Sequence, residues 1–136
     1  MISTSPKADP SSDPSSEDEL QRWSLNLINQ VIPSECVVHH SPNEGVRKVQ
    51  FKMKLKSMGT QFGWPDLEIF APATATHTGL PQCLFIELKL AKGKLSPNQV
   101  SIRDQLIAGG FAWALCRSVD EVETFLAAHL KLRAVA

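Results

Sequence analysis

The sequence predicts an α/β fold in which a mixed sheet is flanked by helices. Apolar and polar residues alternate in short, strand-length segments, and longer segments with helix caps lie between them. Taken in order, the predicted elements read αβαββαβα, and alternation of this kind is typical of a sheet covered by helices. The 136 residues are enough for one domain with one hydrophobic core.

The chain starts with a polar segment that precedes the first helix. Residues 1–15 are mostly Ser, Pro and Asp, so we expect a disordered tail at 1–15 and a folded domain at 16–136. Ser16 and Glu19 have the spacing of a capping box, which predicts a helix start. The apolar stripe of this helix consists of Leu20, Trp23, Leu27 and Val31.

The next two elements differ in how clearly the sequence defines them. Residues 37–40 predict a strand, and the turn-forming residues 41–45 close it. Apolar and polar residues then alternate strictly from Val49 to Leu55, which favours a second strand. The alternative for residues 46–56 is a short helix that ends at Gly59.

The second half of the chain predicts two strands, a helix, a strand and a last helix. Ser96 is a good N-cap, Pro97 suits the first helical position, and Gln99 completes a capping-box pattern. Ser118 and Glu121 repeat that spacing before the last helix. The five elements are expected at about 66–71, 83–90, 96–109, 111–116 and 118–130.

Two acids and a lysine lie on the two central predicted strands. Side chains alternate across a strand, so Glu87 and Lys89 share one face while Leu88 points to the other. Asp66 opens the preceding strand, and strand pairing would bring it beside Glu87. We expect the face with Glu87 and Lys89 to look into a cleft, because the apolar residues of the strand lie opposite.

The pattern Asp…Glu-x-Lys suits phosphodiester hydrolysis. Carboxylate oxygens hold a hard cation, which neutralises developing charge and activates water. A lysine fixed near the attacked phosphorus stabilises the transition state further. The three residues alone are a weak indication, because such triplets occur by chance in many proteins.

Further motifs surround these residues over most of the chain. They are Pro42-Asn43-Glu44-Gly45, Lys54, Met58-Gly59, Gly63-x-Pro65-Asp66-Leu67, Ile86-Glu87-Leu88-Lys89, Lys92-Gly93-Lys94-Leu95-Ser96-Pro97-x-Gln99, Gly110-Phe111 and Arg117-Ser118-Val119-Asp120-Glu121. Together they resemble the virus-type replication-repair nuclease (VRR-NUC) domain, a branch of the PD-(D/E)XK nucleases, over about residues 17–126. Trp64 stands where this family more often has a small or aliphatic residue.

The resemblance implies a restriction-endonuclease-like PD-(D/E)XK core and a metal-dependent deoxyribonuclease. It also implies the helix at 46–56, which we therefore prefer to the strand. The small stand-alone members resemble junction- or flap-directed enzymes that work as dimers, so we expect branched DNA as the substrate and a homodimer. The alternatives are a non-catalytic DNA-binding module that retains the fold, and an enzyme of the same fold that acts on RNA or on a modified genome.

The resemblance also implies a set of site residues. Asp66 and Glu87, with the backbone carbonyl of Leu88, would hold Mg²⁺ or Mn²⁺. Lys89 would orient the attacking water or stabilise the charge on phosphorus. Gln99 would complete the site from the face of its helix that points towards the sheet, although capping alone also accounts for it.

One further acid is expected from the first helix. The family places a glutamate there, four residues before a glutamine, and Glu17 with Gln21 has that spacing. Glu19 is the competing candidate, but its capping role already accounts for it. We therefore expect Glu17 to be the acid near the metal.

The formal net charge of zero conceals an uneven distribution. Residues 1–19 carry one basic and five acidic side chains, whereas residues 45–103 carry nine basic and three acidic ones, a net charge of +6. Such clustering is typical of a protein that binds a phosphate backbone, and the alternative is a solvated face. The expected DNA contacts are Arg47, Lys48, Lys52, Lys54, Lys56, Lys92 and Lys94.

The cysteines, the apolar runs and the N-terminal residues bear on the cellular compartment. Cys36, Cys83 and Cys116 are odd in number and widely spaced, which fits neither a disulfide framework nor a zinc site. No apolar run approaches the roughly 18–20 residues of a membrane span, and the N-terminus lacks a secretory pattern. We expect no membrane contact and a cytoplasmic location in a bacterial or phage-infected cell. His39 and His40 are interpreted as incidental.

Overall fold

The elements follow the order that the sequence predicts. The computed structural model describes residues 13–41 and 49–135, and the side chains of residues 49–51 are outside that description. The elements are α1 (Glu17–Val31), β1 (Val37–His40), α2 (Val49–Ser57), β2 (Leu67–Ala71), β3 (Gln82–Leu88), α3 (Pro97–Ala108), β4 (Ala112–Cys116) and α4 (Val119–His129). The helical interpretation of 46–56 is confirmed for its described part, whereas the sequence did not predict a short 3-10 turn at Ala73–Ala75.

The four strands form one mixed sheet in the order β1-β2-β3-β4. β1 and β2, and likewise β2 and β3, are antiparallel, whereas β3 and β4 are parallel. Leu67 pairs with Ile86, so positions 66 and 87 lie next to each other one step beyond that pair. Leu88 pairs with Cys116, which brings the residues that follow β3 and β4 to the same edge of the sheet.

Helices cover both faces of the sheet. α1 and α4 pack on the face that carries Leu67, Ile69 and Ile86, which are fully buried there. On the other face, α3 packs Ile102 and Leu106 against the sheet in a smaller cluster whose other members are Phe85, Trp64, Cys83 and Trp113. No described helix combines the length and the apolar character needed to cross a lipid bilayer.

The face that carries Glu87 is therefore not the open cleft that we expected. Phe85 shares this face with Glu87, and its apolar ring requires burial, which α3 provides. Glu87 itself is only 2% exposed. Any reaction centre at Glu87 must therefore be reached from the end of the sheet, where β3 meets the first turn of α3.

The helix caps confirm the predicted starts of α1 and α3, with one difference. Ser96 and Gln99 form a complete capping box at α3. At α1, Ser16 accepts a hydrogen bond from the backbone of Glu19 as expected. The Glu19 carboxylate, however, accepts from the backbone and hydroxyl of Ser15, one residue further back than in a capping box.

Candidate active site

Asp66 and Glu87 meet at the end of the sheet. Asp66 lies directly before β2, and its Oδ2 accepts a hydrogen bond of 2.7 Å from the backbone N–H of Leu88. Glu87 lies near the end of β3, on the neighbouring strand. The bond from one strand to the backbone of the next holds the aspartate beside Glu87, as strand pairing predicts.

The surroundings of this pair disfavour two negative charges. Burial, followed by the negative charge of Asp66, raises the pKa of Glu87 from 4.5 to about 9. Burial also raises the pKa of Asp66, although the hydrogen bond from Leu88 acts in the opposite direction. Two negative charges at these positions would repel each other, and a bound cation would offset that repulsion.

Gln99 connects α3 to this pair. Its Oε1 accepts a hydrogen bond of 2.8 Å from the backbone of Ser96, while its Nε2 donates one of 2.9 Å to Oε1 of Glu87. Capping and a site contact were the two alternatives for this side chain. The structure shows that one amide makes both contacts, because the two ends of the group face different partners.

A glycine to which the sequence analysis gave no role sets the position of Gln99. Gly63 has a φ of +83°, and a Cβ built on it would lie 2.4 Å from the backbone carbon of Asn98 and 2.6 Å from the backbone nitrogen of Gln99. The Gly63-Trp64-Pro65-Asp66 segment is thus pressed against the first turn of α3. Only a residue without a side chain allows both this conformation and this contact.

Lys89 follows β3 at the same edge. The strand ends at Leu88, earlier than predicted, but the backbone N–H of Lys89 still donates to the carbonyl of Cys116 at 3.2 Å. Its positive charge lowers the pKa of both Asp66 and Glu87. Lys89 forms no direct ion pair within the described residues.

The first turn of α1 also reaches this region. Glu17 is exposed there, and its negative charge contributes to the raised pKa of Glu87. One turn later, the side-chain nitrogen Nε2 of Gln21 lies 3.2 Å from Nδ1 of His40. His40 in turn contributes to lowering the pKa of Asp66, and β1, which carries this histidine, pairs with β2 directly after Asp66.

Glu68 forms a hydrogen-bond network beside the site. The residue is 9% exposed, and its Oε1 accepts from Nε1 of Trp64 at 2.8 Å and from the hydroxyl of Ser41 at 3.2 Å. Nδ1 of His39 lies 3.3 Å from the same oxygen. Sequence reasoning missed this network; the available signal was that Glu68 shares the strand face of Asp66. Both histidines therefore have polar side-chain partners beside the site.

The predicted DNA-contacting side chains that can be located are all exposed. They are Lys52, Lys54 and Lys56 on α2, and Lys92 and Lys94 between β3 and α3. Arg47 and Lys48 lie outside the described residues, and so do residues 1–12 of the predicted tail. The five located lysines are thus accessible to a phosphate backbone.

Comparison with known proteins identifies the family. The sequence model of the VRR-NUC domain matches residues 16–120, which is most of the chain. The chain belongs to the VRR-NUC family. A solved structure described as a VRR_NUC domain protein shares the fold, with a TM-score of 0.65 and 24% sequence identity over 85% of this chain and 88% of that one. No curated protein matches the chain.

VRR-NUC membership implies a nuclease-type function in DNA processing. Nucleases of this kind usually use divalent metal ions, and the oxygen donors of Asp66 and Glu87 fit such an ion. Oε2 of Glu87 is buried, and no hydrogen-bond donor in the described part of the chain reaches it. A buried carboxylate oxygen without a donor, beside a second carboxylate, is the kind of ligand that a hard cation satisfies.

The acidic side chains alone do not complete a metal site. Across residues 13–41 and 49–135, no group of three or more His, Cys, Asp or Glu side chains is assembled to hold an ion. Mg²⁺ commonly takes one or two carboxylates and fills its other positions with water and substrate phosphate. Asp66 and Glu87 are such a pair of carboxylates.

Proposed function

We propose that this VRR-NUC protein is a divalent-metal-dependent endonuclease that hydrolyses phosphodiester bonds in branched DNA, a four-way junction or a flap, as a homodimer. One observation carries the proposal. Asp66 and buried Glu87 lie side by side at the end of the sheet, Oε2 of Glu87 lacks a donor within the described residues, and Lys89 follows Glu87 two residues later. The branched substrate and the dimer rest on the resemblance to the stand-alone family members.

The two acids and one backbone group would hold the cation. Asp66, Glu87 and the carbonyl of Leu88 would bind Mg²⁺ or Mn²⁺, which when bound neutralises phosphate charge and activates water. The Leu88 N–H holds Asp66 in place at 2.7 Å. Asp66 is thus positioned by the backbone of the neighbouring strand, an arrangement that favours a precise site.

The remaining side chains would orient the metal ligands and the attacking water and would stabilise the charge that develops on the phosphate. Gln99 donates to Oε1 of Glu87 and would thereby leave Oε2 available to a cation. Lys89 would orient the attacking water or stabilise the negative charge that builds on phosphorus, because a fixed ammonium group costs no reorganisation at that moment. Glu17, exposed on α1, would complete the site from the solvent side.

Two groups of exposed lysines support DNA as the partner. One group lies on α2 and the other follows β3, close in sequence to Lys89, and phosphate contacts of this type supply most of the non-specific affinity for DNA. The two acids and the lysine are all retained, which favours the enzyme over a DNA-binding module that has lost its chemistry.

Cleavage of labelled linear, flap and four-way DNA with Mg²⁺, Mn²⁺ or EDTA tests the proposal. Asp66→Asn and Lys89→Met should each lower the cleavage rate by roughly 10²–10³-fold, since each removes preplaced charge. Lys131→Met is the matched control, because Lys131 is exposed and lies beside Ala75, at the opposite end of β2 from Asp66. Wild-type cleavage in EDTA, or a fully active Asp66→Asn protein, contradicts the mechanism.

A further inference from the structure

Arg117 binds the turn that follows Lys89. It comes directly after β4, and its Nη1 donates hydrogen bonds to the carbonyls of Leu90 at 2.6 Å and Gly93 at 2.8 Å, with Ala91 at a longer 3.3 Å. Parallel pairing of β3 and β4 makes this contact possible, because both strands end at the same edge. One guanidinium group therefore contacts three carbonyls within residues 90–93, a segment that we call the 90–93 turn.

The 90–93 turn lies against the side chain of Lys89. The backbone N–H of Gly93 donates to the carbonyl of Leu90 at 2.9 Å and closes the turn. A Cβ built on Gly93 would lie 3.3 Å from Cδ and 3.4 Å from Cβ of Lys89. The backbone of the turn is thus a wall along the aliphatic part of the lysine.

Arg117 is itself held in place. Its backbone N–H donates to Oε2 of Glu121 at 2.9 Å, in the first turn of α4. Its guanidinium group forms no ion pair within the described residues, and its partners there are backbone carbonyls. The arrangement suits support of a turn rather than neutralisation of an acid.

We propose that Arg117 is a positioning residue that directs Lys89 towards the scissile phosphate by holding the 90–93 turn against it. The inference rests on the proposed nuclease function. Lysine has a long, flexible side chain, and no ion pair among the described residues fixes its ammonium group. A displacement of about 1 Å of a catalytic group can cost on the order of 10²-fold in rate. The wall formed by the turn limits that displacement.

Arg117→Met removes the hydrogen bonds but keeps an unbranched side chain. We expect kcat to fall about 10–100-fold, while the Mg²⁺ concentration for half-maximal activity stays within twofold of wild type. Arg117→Lys should restore part of the rate, because an ammonium group can also donate to carbonyls. Arg133→Met is the matched control, since Arg133 donates to the carbonyls of Ile32 and Asn29 and should leave kcat unchanged.

A double-mutant cycle separates positioning from a general structural loss. If Arg117 acts through Lys89, then Arg117→Met in a Lys89→Met background should lower the residual rate by less than twofold. Equal losses in the two backgrounds overturn the proposal. If Arg117→Met does not fold, the same cycle is run with Arg117→Lys.

Amide hydrogen exchange tests the turn independently of activity. Arg117→Met should accelerate exchange at the Gly93 amide and leave the Leu88 amide as protected as in wild type. Unchanged Gly93 exchange, or faster exchange with an unchanged kcat, overturns the proposal. A wild-type protein that cleaves no DNA rejects the proposed function instead, and the exchange measurement then still decides whether Arg117 holds the turn.

Discussion

Gly63→Ala should destabilise the protein well beyond the ordinary cost of losing a glycine. The φ of +83° alone costs a residue with a side chain about 1–2 kcal/mol. The new Cβ would also lie 2.4–2.6 Å from three backbone atoms of Asn98 and Gln99, which cannot rotate away, and overpacking of this type costs about 1–3 kcal/mol more. We therefore expect a loss of about 2–5 kcal/mol, which for a chain of this size lowers Tm by about 7–17 °C.

The matched control for this prediction is Gly79→Ala. Gly79 has a similar φ of +76°, but nothing lies within 4 Å of a Cβ built there, so only the backbone cost remains. Thermal melts of both variants, followed by calorimetry or circular dichroism, measure the steric contribution as their difference. The Gly63 variant should also need more Mg²⁺, because the first turn of α3 carries Gln99. Melting temperatures within about 2 °C of each other would refute the close contact, since the steric cost alone should exceed that difference.

Three further predictions concern charge. The pKa of Glu87 is raised from 4.5 to about 9 in the fold. The protonated side chain therefore contributes its full stability to the metal-free fold below pH about 4.5, and this contribution is lost as pH rises towards about 9. Glu87→Gln should therefore raise Tm at pH 8 but not at pH 4.5, and equal effects at both pH values would show that folding does not raise the pKa of Glu87. Replacing three exposed lysines by glutamine should flatten the slope of log affinity against log salt by about 0.9 for each duplex phosphate that the protein no longer neutralises, measured by fluorescence anisotropy in EDTA. The three are Lys52, Lys54 and Lys56. An unchanged slope would mean that these lysines face solvent and do not contact DNA phosphates. Glu17→Gln should raise the Mg²⁺ requirement without changing Tm, whereas Glu19→Ala should cost up to about 1 kcal/mol of stability and keep the requirement. Mg²⁺ titrations and melts of both proteins distinguish the two acids, and the reverse pattern would make Glu19 the ligand.

Local features of the sequence were sufficient for the order and type of most elements. Caps such as Ser96 with Gln99, and the alternation of apolar residues along β2 and β3, depend on residues a few positions apart. Residues 46–56 show the limit of this reasoning, because their alternation matches a strand while α2 is a helix. Lysine, methionine, leucine and glutamine are good helix formers, and here that preference outweighs the alternation.

The two acids and the lysine that we propose for the site could also be selected from the sequence, because strand alternation and the motif Asp…Glu-x-Lys are local patterns. The environment of these side chains could not be predicted from the sequence. The burial of Glu87, the double contact of Gln99 and the reach of Arg117 to a carbonyl 27 residues earlier follow from strand register and from the packing of α3. Burial and hydrogen bonding of a side chain depend on neighbours that are distant in the chain, and only the tertiary structure brings those neighbours together.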